Sequence, residues 1–424
     1  MINSTGNRKI SLFGFSLFLV LFYEIGMSIV AFTGVTFEKI VLTSLLWIVV
    51  LISIYLLIKD WSKVKHQFPV FAIVLYGLLL AVNTSAIFRS LIYSDISLTT
   101  SFGNIYNSLG LLVPFSISFG LRSHNIFKIL KLLFFGLLFS FVLLISLVFL
   151  DAHCWQQRIQ EAMIIALLPA AFVFPLIRYQ GRRLAWLHLS VLVLFCMSYI
   201  SGDRTMSLRV ILVVVSTIYI YIYSKGLLKW VRRSMFLFSL VPFYLFFWSL
   251  SSGQSIFSLG TTRTSPNDLL HDTRTFLYVE VLDDLVQTHS IWTGKGADGT
   301  YFSQFFHTTK GDTDTRNHVE VGVLSILLKT GVMGLTLNMG ILLYASYLAI
   351  SKSKNIFSFG LGVILLLYFD LLFIKYPIAY TLDNFLLWFF IGLSFSKNLR
   401  LMTNAEFLLS IKSTRHLDSE ITFD

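Results

Sequence analysis

Apolar runs long enough to cross a membrane recur along almost the whole chain. A helix that spans the bilayer core needs about 20 such residues. A chain of 424 residues cannot hide several helices that are apolar on all sides inside a soluble core. The composition agrees, because 56% of the residues are hydrophobic and only 13% are charged. The chain is therefore predicted to be an all-α polytopic membrane protein.

Hydropathy windows of about 20 residues predict about twelve transmembrane helices. They divide the chain into transmembrane helices 1–9 (residues 1–250), one large outer loop (251–330), transmembrane helices 10–12 (331–400) and a short tail (401–424). The predicted spans are 11–32, 38–58, 68–88, 102–120, 130–150, 161–177, 184–201, 206–223, 234–250, 331–350, 356–376 and 380–396.

The distribution of basic residues predicts the orientation of these spans. With the N-terminus inside, every inner segment carries lysine or arginine, such as Lys63 and Arg182, whereas the short outer loops hold only isolated ones. The positive-inside rule then places both termini in the cytoplasm. This pattern also explains the net charge of +11 without a nucleic-acid partner. The two cysteines, Cys154 and Cys196, show neither metal-site nor disulfide spacing.

The large outer loop, 251–330, is polar but contains two predicted helices. The first covers 272–287, and its apolar face is predicted from residues at a spacing of three: Phe276, Val279, Leu282 and Leu285. A glycine-punctuated turn at 292–302 follows. The second helix covers 317–331, with Gly331 near its end. Loops of this length inside compact proteins are usually functional or disordered.

Ionisable residues gather near the outer ends of the predicted spans. Each costs about 2.5–3.5 kcal/mol at the centre of a membrane helix, so each is a functional hypothesis. An arginine fork matches phosphate oxygens with two donors at once, which predicts a phosphate or pyrophosphate site at the headgroup level. Loop-edge arginines such as Arg89 also reach lipid phosphates without any further role. The residues concerned are Glu24, Arg158, Glu161, Asp203, Arg204, Arg209, Asp370 and Asp383.

Three motifs occur in a fixed order around the large loop. The first, SGDRTMSLRVILVV (201–214), places Arg204 at the start of an apolar span. The second, DTRTFLYVEVLDDLVQTHSIWTGKGADGTYF, opens with Arg274 and leads to a Gly-x-Gly turn. The third, NHVEVGVLSILLKTGVMGL, contains His318 and a helix that ends at Gly331. Together with the span count and the single large outer loop, they resemble the bacterial O-antigen polymerase and O-antigen ligase superfamily of GT-C-type membrane glycosyltransferases.

The resemblance implies a GT-C-like fold with a periplasmic loop and an active site at the periplasmic face of the bacterial inner membrane. The donor it implies is an undecaprenyl-pyrophosphate-linked oligosaccharide, used with neither cofactor nor metal. The implied pyrophosphate-binding residues are Arg204, Arg274, Arg158 and Arg209, with Asp203 as an orienting residue.

The resemblance leaves two candidates for the base that deprotonates the acceptor hydroxyl. The family's His-Asn order is reversed here, since Asn317 precedes His318. The residue at the family's spacing before Gly331 is Glu320. The catalytic base is therefore either His318 or Glu320.

The acceptor decides between two enzymes. A second lipid-linked repeat unit would make the protein a polysaccharide polymerase, which we expect from the altered His-Asn motif, whereas lipid A-core would make it an O-antigen ligase. A transporter or flippase of lipid-linked oligosaccharide and a non-catalytic glycan receptor are the alternatives from other classes. The expected partners are membrane lipids and a chain-length regulator or flippase, with no nucleic acid.

Overall fold

A computed structural model describes residues 12–33, 36–93, 98–121, 275–303, 315–373 and 378–410, together with the single positions 220 and 244. Most of these residues are helical. The helices are α1 (Leu12–Thr33), α2 (Thr36–Lys59), α3 (Trp61–Gln67), α4 (Val70–Tyr93), α5 (Leu98–Gly103), α6 (Ser108–Leu112), the 3₁₀ helix η1 (Val113–Leu121), α7 (Thr275–Gln287), α8 (Gly322–Ser351), α9 (Ile356–Leu372), α10 (Leu382–Phe395) and α11 (Lys397–Leu401). Two short strands, β1 (Tyr301–Phe302) and β2 (Thr315–Arg316), form an antiparallel pair.

Three of the described helices contain segments long and apolar enough to cross a membrane. They are Val41–Lys59, Val70–Ile92 and Gly322–Ser351. The third is interrupted at Gly331, whose backbone is not helical (φ 66°, ψ −168°). The part after Gly331 would span about 30 Å at the rise of an α-helix, which is the thickness of a bilayer core. The chain is thus a helical protein built for a membrane, as its composition predicts.

The described helices agree with most of the predicted spans that they cover. Helices α1, α2, α4, α9 and α10 lie on the predicted spans 11–32, 38–58, 68–88, 356–376 and 380–396, and the part of α8 after Gly331 lies on 331–350. The predicted spans between 130 and 250 lie outside the described residues, apart from positions 220 and 244. The prediction of about twelve transmembrane helices and of a GT-C-like fold therefore remains a prediction.

One predicted span, 102–120, is not a continuous helix. The chain turns after α5, where the Asn104 side chain accepts a hydrogen bond from the Tyr106 amide (2.9 Å). It then continues as the short helix α6 and the 3₁₀ helix η1. The local side-chain bond competes with the helical hydrogen-bond ladder, and Pro114 has no amide hydrogen to donate to that ladder. Hydropathy detects the apolar character of this segment but not the interruption.

The apolar core is centred on α10, in which every residue from Leu382 to Phe395 is buried. Helix α8 packs along α9 and α4, while η1 lies against α2 and α10. Gly120 and Gly392 mark the closest approach of η1 and α10. A Cβ on Gly392 would lie 2.4 Å from the Ile117 carbonyl oxygen. Small residues allow such close backbone packing, as is common between helices in membranes.

The described helices have two chemically different ends. At one end, which we call the basic end, the Lys354 amide donates to the Arg400 carbonyl (2.8 Å). At the other end, which we call the loop end, the Leu382 amide donates to Glu24 Oε1 (2.8 Å). The loop end also holds α7 and the strand pair. The lysines and arginines of the basic end are Lys59, Lys63, Lys65, Lys352, Lys354, Lys397 and Arg400.

Helix α7 lies on the predicted helix at 272–287, and its buried face matches the predicted apolar face only in part. The structure buries Leu277, Tyr278, Val281 and Leu285, whereas Val279 is 53% exposed. A step of three residues turns an α-helix about 60° short of a full circle, so a run at that spacing drifts around the axis. A step of four turns it only about 40° too far, and Leu277, Val281 and Leu285 therefore stay on one side.

Candidate functional site

A glycine-rich turn docks onto the interruption in α8. This turn, residues 291–297, is called the glycine turn below. The amides of Lys295 and Gly296 donate to the carbonyls of Leu328 (2.7 Å) and Lys329 (3.1 Å), at the end of the first part of α8. Helix ends leave backbone groups without intrahelical partners. The glycine turn supplies partners for those carbonyls.

The glycine turn also supplies partners for the second part of α8. The amides of Val332 and Met333 donate to the carbonyls of Ile291 (2.9 Å) and Trp292 (3.2 Å). Both helix ends created by the interruption are therefore satisfied by one neighbouring segment. The predicted glycine-punctuated turn and the predicted helix end at Gly331 are two halves of a single structure.

This docking requires glycine on both sides. Gly294 has φ 72° and Gly331 has φ 66°, a region that side chains disfavour. A Cβ on Gly294 would lie 2.4 Å from the Lys329 carbonyl carbon, and a Cβ on Gly331 would lie 2.3 Å from the Trp292 carbonyl carbon. The atoms in the way belong to the backbone, which cannot rotate aside as a side chain does. The two glycines are therefore needed for the contact itself.

Arg89 of α4 holds the glycine turn from the other side. Its Nη1 donates to the Gly294 carbonyl (2.8 Å) and its Nη2 donates to the Thr293 carbonyl (2.5 Å). The Ala297 amide donates to the Ala86 carbonyl of the same helix (3.1 Å). Arg89 thus has a structural role that requires no lipid phosphate.

We expect Arg89→Met to lower the free energy of unfolding by about 2 kcal/mol or more, because the variant loses two hydrogen bonds from a charged group, of which the part-buried one alone should contribute about 1.5–3 kcal/mol. The measurement is thermal unfolding of the detergent-solubilised protein. Lys63→Met at the basic end is the control. Lys63 pairs with Asp60 (2.8 Å) but is half exposed, and such surface pairs contribute at most about 1 kcal/mol. Equal losses in the two variants would contradict the role of Arg89.

The strand pair positions the candidate base. Tyr301 lies opposite Arg316 in the antiparallel register. After β2, burial alternates along the chain, with Val319 and Val321 in the core and His318 and Glu320 on the other side. In an extended chain, alternate residues share a face. The structure therefore brings the two candidates from the sequence, His318 and Glu320, onto one side of the same segment.

The imidazole of His318 is shielded from water on one face. Its ring packs on Tyr106, with the ring centroids 4.0 Å apart at an interplanar angle of 43°. Its Nδ1 atom is buried and has no hydrogen-bond partner among the described residues. The hydrogen-bonding capacity of this nitrogen is therefore not used by the described residues.

Burial lowers the pKa of His318 to about 4. Glu320 opposes this effect, while the cations of Lys329 and Arg316 add to it. Burial also raises the pKa of Tyr301 to about 12, against the influence of Arg316. At neutral pH His318 is therefore uncharged, and an uncharged imidazole is the form that accepts a proton.

Two residues that the sequence reasoning did not assign complete this region. Tyr106 packs on His318 and lies close enough to Glu24 and Glu320 for both carboxylates to act on it electrostatically. Lys329 is buried in α8, close enough to act on His318. The sequence could have identified Lys329 as a candidate, because a lysine inside an apolar helix is costly without a partner. The sequence does not distinguish Tyr106, since tyrosine is common near membrane surfaces.

The structure tests the location of only part of the predicted site. His318 and Glu320 lie together, and Glu24 and Asp383 lie at the same end of the helices, where the Leu382 amide donates to Glu24. The predicted pyrophosphate-binding and orienting residues lie outside the described residues. These are Arg204, Arg274, Arg158, Arg209 and Asp203.

The chain matches no known protein-family model and no curated protein sequence.

Proposed function

We propose that this protein is a polysaccharide polymerase of the O-antigen or capsule type. It transfers a growing glycan from undecaprenyl pyrophosphate to a lipid-linked repeat unit at the periplasmic face of the bacterial inner membrane. The observation that carries the proposal is the uncharged, partly shielded His318, placed beside Glu320 in the segment where the resemblance locates the base.

In this mechanism His318 acts as the general base. The acceptor hydroxyl oxygen attacks C1 of the donor sugar, the bond from C1 to the pyrophosphate oxygen breaks, and the hydroxyl proton passes to His318. Glu320 is exposed and shares the face of His318, so we assign it to orientation of the imidazole or the acceptor. Attack from the side opposite the leaving group inverts the configuration at C1.

The arginines are assigned to the leaving group. Arg204 and Arg274, with Arg158 and Arg209, would stabilise the negative charge that grows on the pyrophosphate as the C1 bond breaks. Asp203 would orient one of them. This assignment is supported by the motifs alone.

The charge difference between the two ends supports the proposed orientation. The basic end would face the cytoplasm under the positive-inside rule, which places the loop end at the periplasm. The long part of α8, Val332 to Ser351, carries no charged residue. His318, Glu320 and Glu24 lie at the loop end instead, and this placement supports chemistry at one face.

The decisive test is the length distribution of surface polysaccharide. A deletion strain is complemented with wild type, Arg204→Ala or Arg274→Ala at matched membrane expression. We expect a long ladder from wild type and a single repeat unit from both variants, since loss of one such charge-stabilising group costs about 10²–10³ in rate. Arg182→Ala, in a predicted inner loop, is the control and should restore the ladder.

Other outcomes of this test would change the proposal. Full-length lipid-linked polymer that accumulates without reaching lipid A would identify an O-antigen ligase. A wild-type ladder from both arginine variants would remove Arg204 and Arg274 from the site. Loss of repeat units from the periplasmic face would identify a flippase.

A further inference from the structure

Lys329 is almost completely buried, at 1% exposure, although it carries an ammonium group. Its Nζ donates to the Ala297 carbonyl of the glycine turn (2.5 Å) and to Asn107 Oδ1 (3.3 Å). Burying an ammonium group without partners is unfavourable, so these two hydrogen bonds are needed to compensate for the burial of Lys329. Lys329 therefore joins α8, the glycine turn and the segment that follows α5.

The carboxylate of Asp298 acts electrostatically on Lys329, and Asp298 is also buried, at 3% exposure. The Asp298 amide donates a hydrogen bond to Ser90 Oγ in α4 (2.9 Å). Asp298 Oδ2 accepts a hydrogen bond from the Ser101 hydroxyl in α5. The contacts of Lys329 and Asp298 together involve α4, α5, the turn after α5, the glycine turn and α8. A charge buried without compensation is strongly destabilising, so both groups depend on these contacts.

Asn107, which Lys329 also contacts, is the immediate neighbour of Tyr106 in the chain. Asn107 follows Tyr106 in the turn after α5, and the adjacent Ile105 carbonyl accepts the Tyr380 amide (3.0 Å). Tyr106 in turn covers the ring of His318. A shift of Asn107 would therefore move the ring that shields the imidazole.

We infer that Lys329, together with Asp298, is a positioning residue that holds Tyr106 against His318 and so maintains the shielding of the imidazole. The inference deepens the proposed function, because only that function makes His318 a base. Within the described part of the chain, the charged and titratable groups around that imidazole are Arg316 and Glu320 on its own segment, Lys329 from α8 and Tyr106 from the turn after α5.

The test measures the reactivity of His318 with diethyl pyrocarbonate, which reacts with histidine only when the imidazole is neutral. Purified protein in detergent is treated between pH 4 and 8, and modification of each histidine is followed by mass spectrometry of its peptide. The variant is the double substitution Lys329→Met with Asp298→Asn, which removes both charges and leaves neither unpaired. Exposed His289 provides an internal reference in every sample.

We expect the double variant to modify His318 faster at pH 7, by about fivefold or more, because Tyr106 no longer covers the ring. The midpoint of the pH profile should rise from about 4 toward 6.5, since both the shielding and the Lys329 cation are lost. Asn107→Ala, which keeps both charges, should raise the rate with a smaller change in midpoint. If the double variant fails to fold, the reactivity of His318 in Asn107→Ala tests the inference in its place.

The matched control is a second lysine–aspartate pair in the same region. Lys295→Met with Asp284→Asn removes the pair that Lys295 forms with Asp284 and should leave the reactivity of His318 unchanged. Wild-type reactivity in both the Lys329 double variant and Asn107→Ala would overturn the inference. Because no glycan transfer is measured, that result would leave the proposed function standing. Conversely, a failed ladder test would leave the shielding result intact.

Discussion

Replacing His318 with asparagine is expected to lower the rate of glycan transfer by about 10²–10⁴, the usual contribution of a general base. Asparagine keeps a polar side chain of similar reach but cannot accept the proton. The measurement is single-turnover transfer between lipid-linked repeat units by the purified protein. His289→Asn is the control. His289 is exposed and has a positive φ of 54°, a conformation that asparagine tolerates.

The pH profile provides a second measurement of the same residue. His318 has a pKa of about 4, below the ordinary imidazole value of 6.5, so the neutral form predominates until the pH falls close to 4. The wild-type rate should therefore persist through pH 6 and decline toward pH 4. Decline near pH 6.5 would show an imidazole that is not shielded.

Glu320→Gln separates the two candidate bases. We expect it to reduce the rate less than His318→Asn, because Glu320 is exposed and His318 is not. A complete loss in Glu320→Gln with activity kept in His318→Asn would reverse the assignment. Full activity in both variants would remove this segment from catalysis.

Gly331→Ala is expected to prevent stable folding of the loop end. Its backbone lies at φ 66° and ψ −168°, in a region that costs a side chain about 1–3 kcal/mol. The added Cβ would also lie 2.3 Å from the Trp292 carbonyl carbon, and such overpacking costs about 1–3 kcal/mol more. Both effects separate the glycine turn from α8. Thermal unfolding and the yield of monodisperse protein on size-exclusion chromatography measure the loss.

Gly340→Ala is the matched control in the same helix. No atom lies within 4 Å of a Cβ at Gly340, and alanine is favoured over glycine inside a helix by about 1 kcal/mol. We expect unchanged or slightly higher stability. A similar loss in Gly331→Ala and Gly340→Ala would show that α8 tolerates no added side chain, and the docking of the glycine turn would not explain the result.

The candidate site could be predicted only where its signals are local. His318 and Glu320 lie two residues apart, and Gly331 follows in the same motif, so one stretch of sequence contained all three. The contact between Tyr106 and His318 joins positions far apart in the chain, and nothing near Tyr106 in the sequence indicates its partner. The same holds for Arg89 and the glycine turn, whose hydrogen bonds run to backbone carbonyls. Every residue has a backbone carbonyl, so the sequence does not indicate which carbonyls accept these hydrogen bonds.

The sequence by itself determined the membrane character, most of the described spans, the glycine turn and the interruption at Gly331. Each of these depends on hydropathy or on backbone freedom, which are properties of single residues and short windows. The tertiary structure alone decided the broken segment after α5, the buried face of α7, and the pairing of Lys329 with the glycine turn and Asn107. These depend on which surfaces meet, because burial and hydrogen bonding are set by partners brought together from distant parts of the chain.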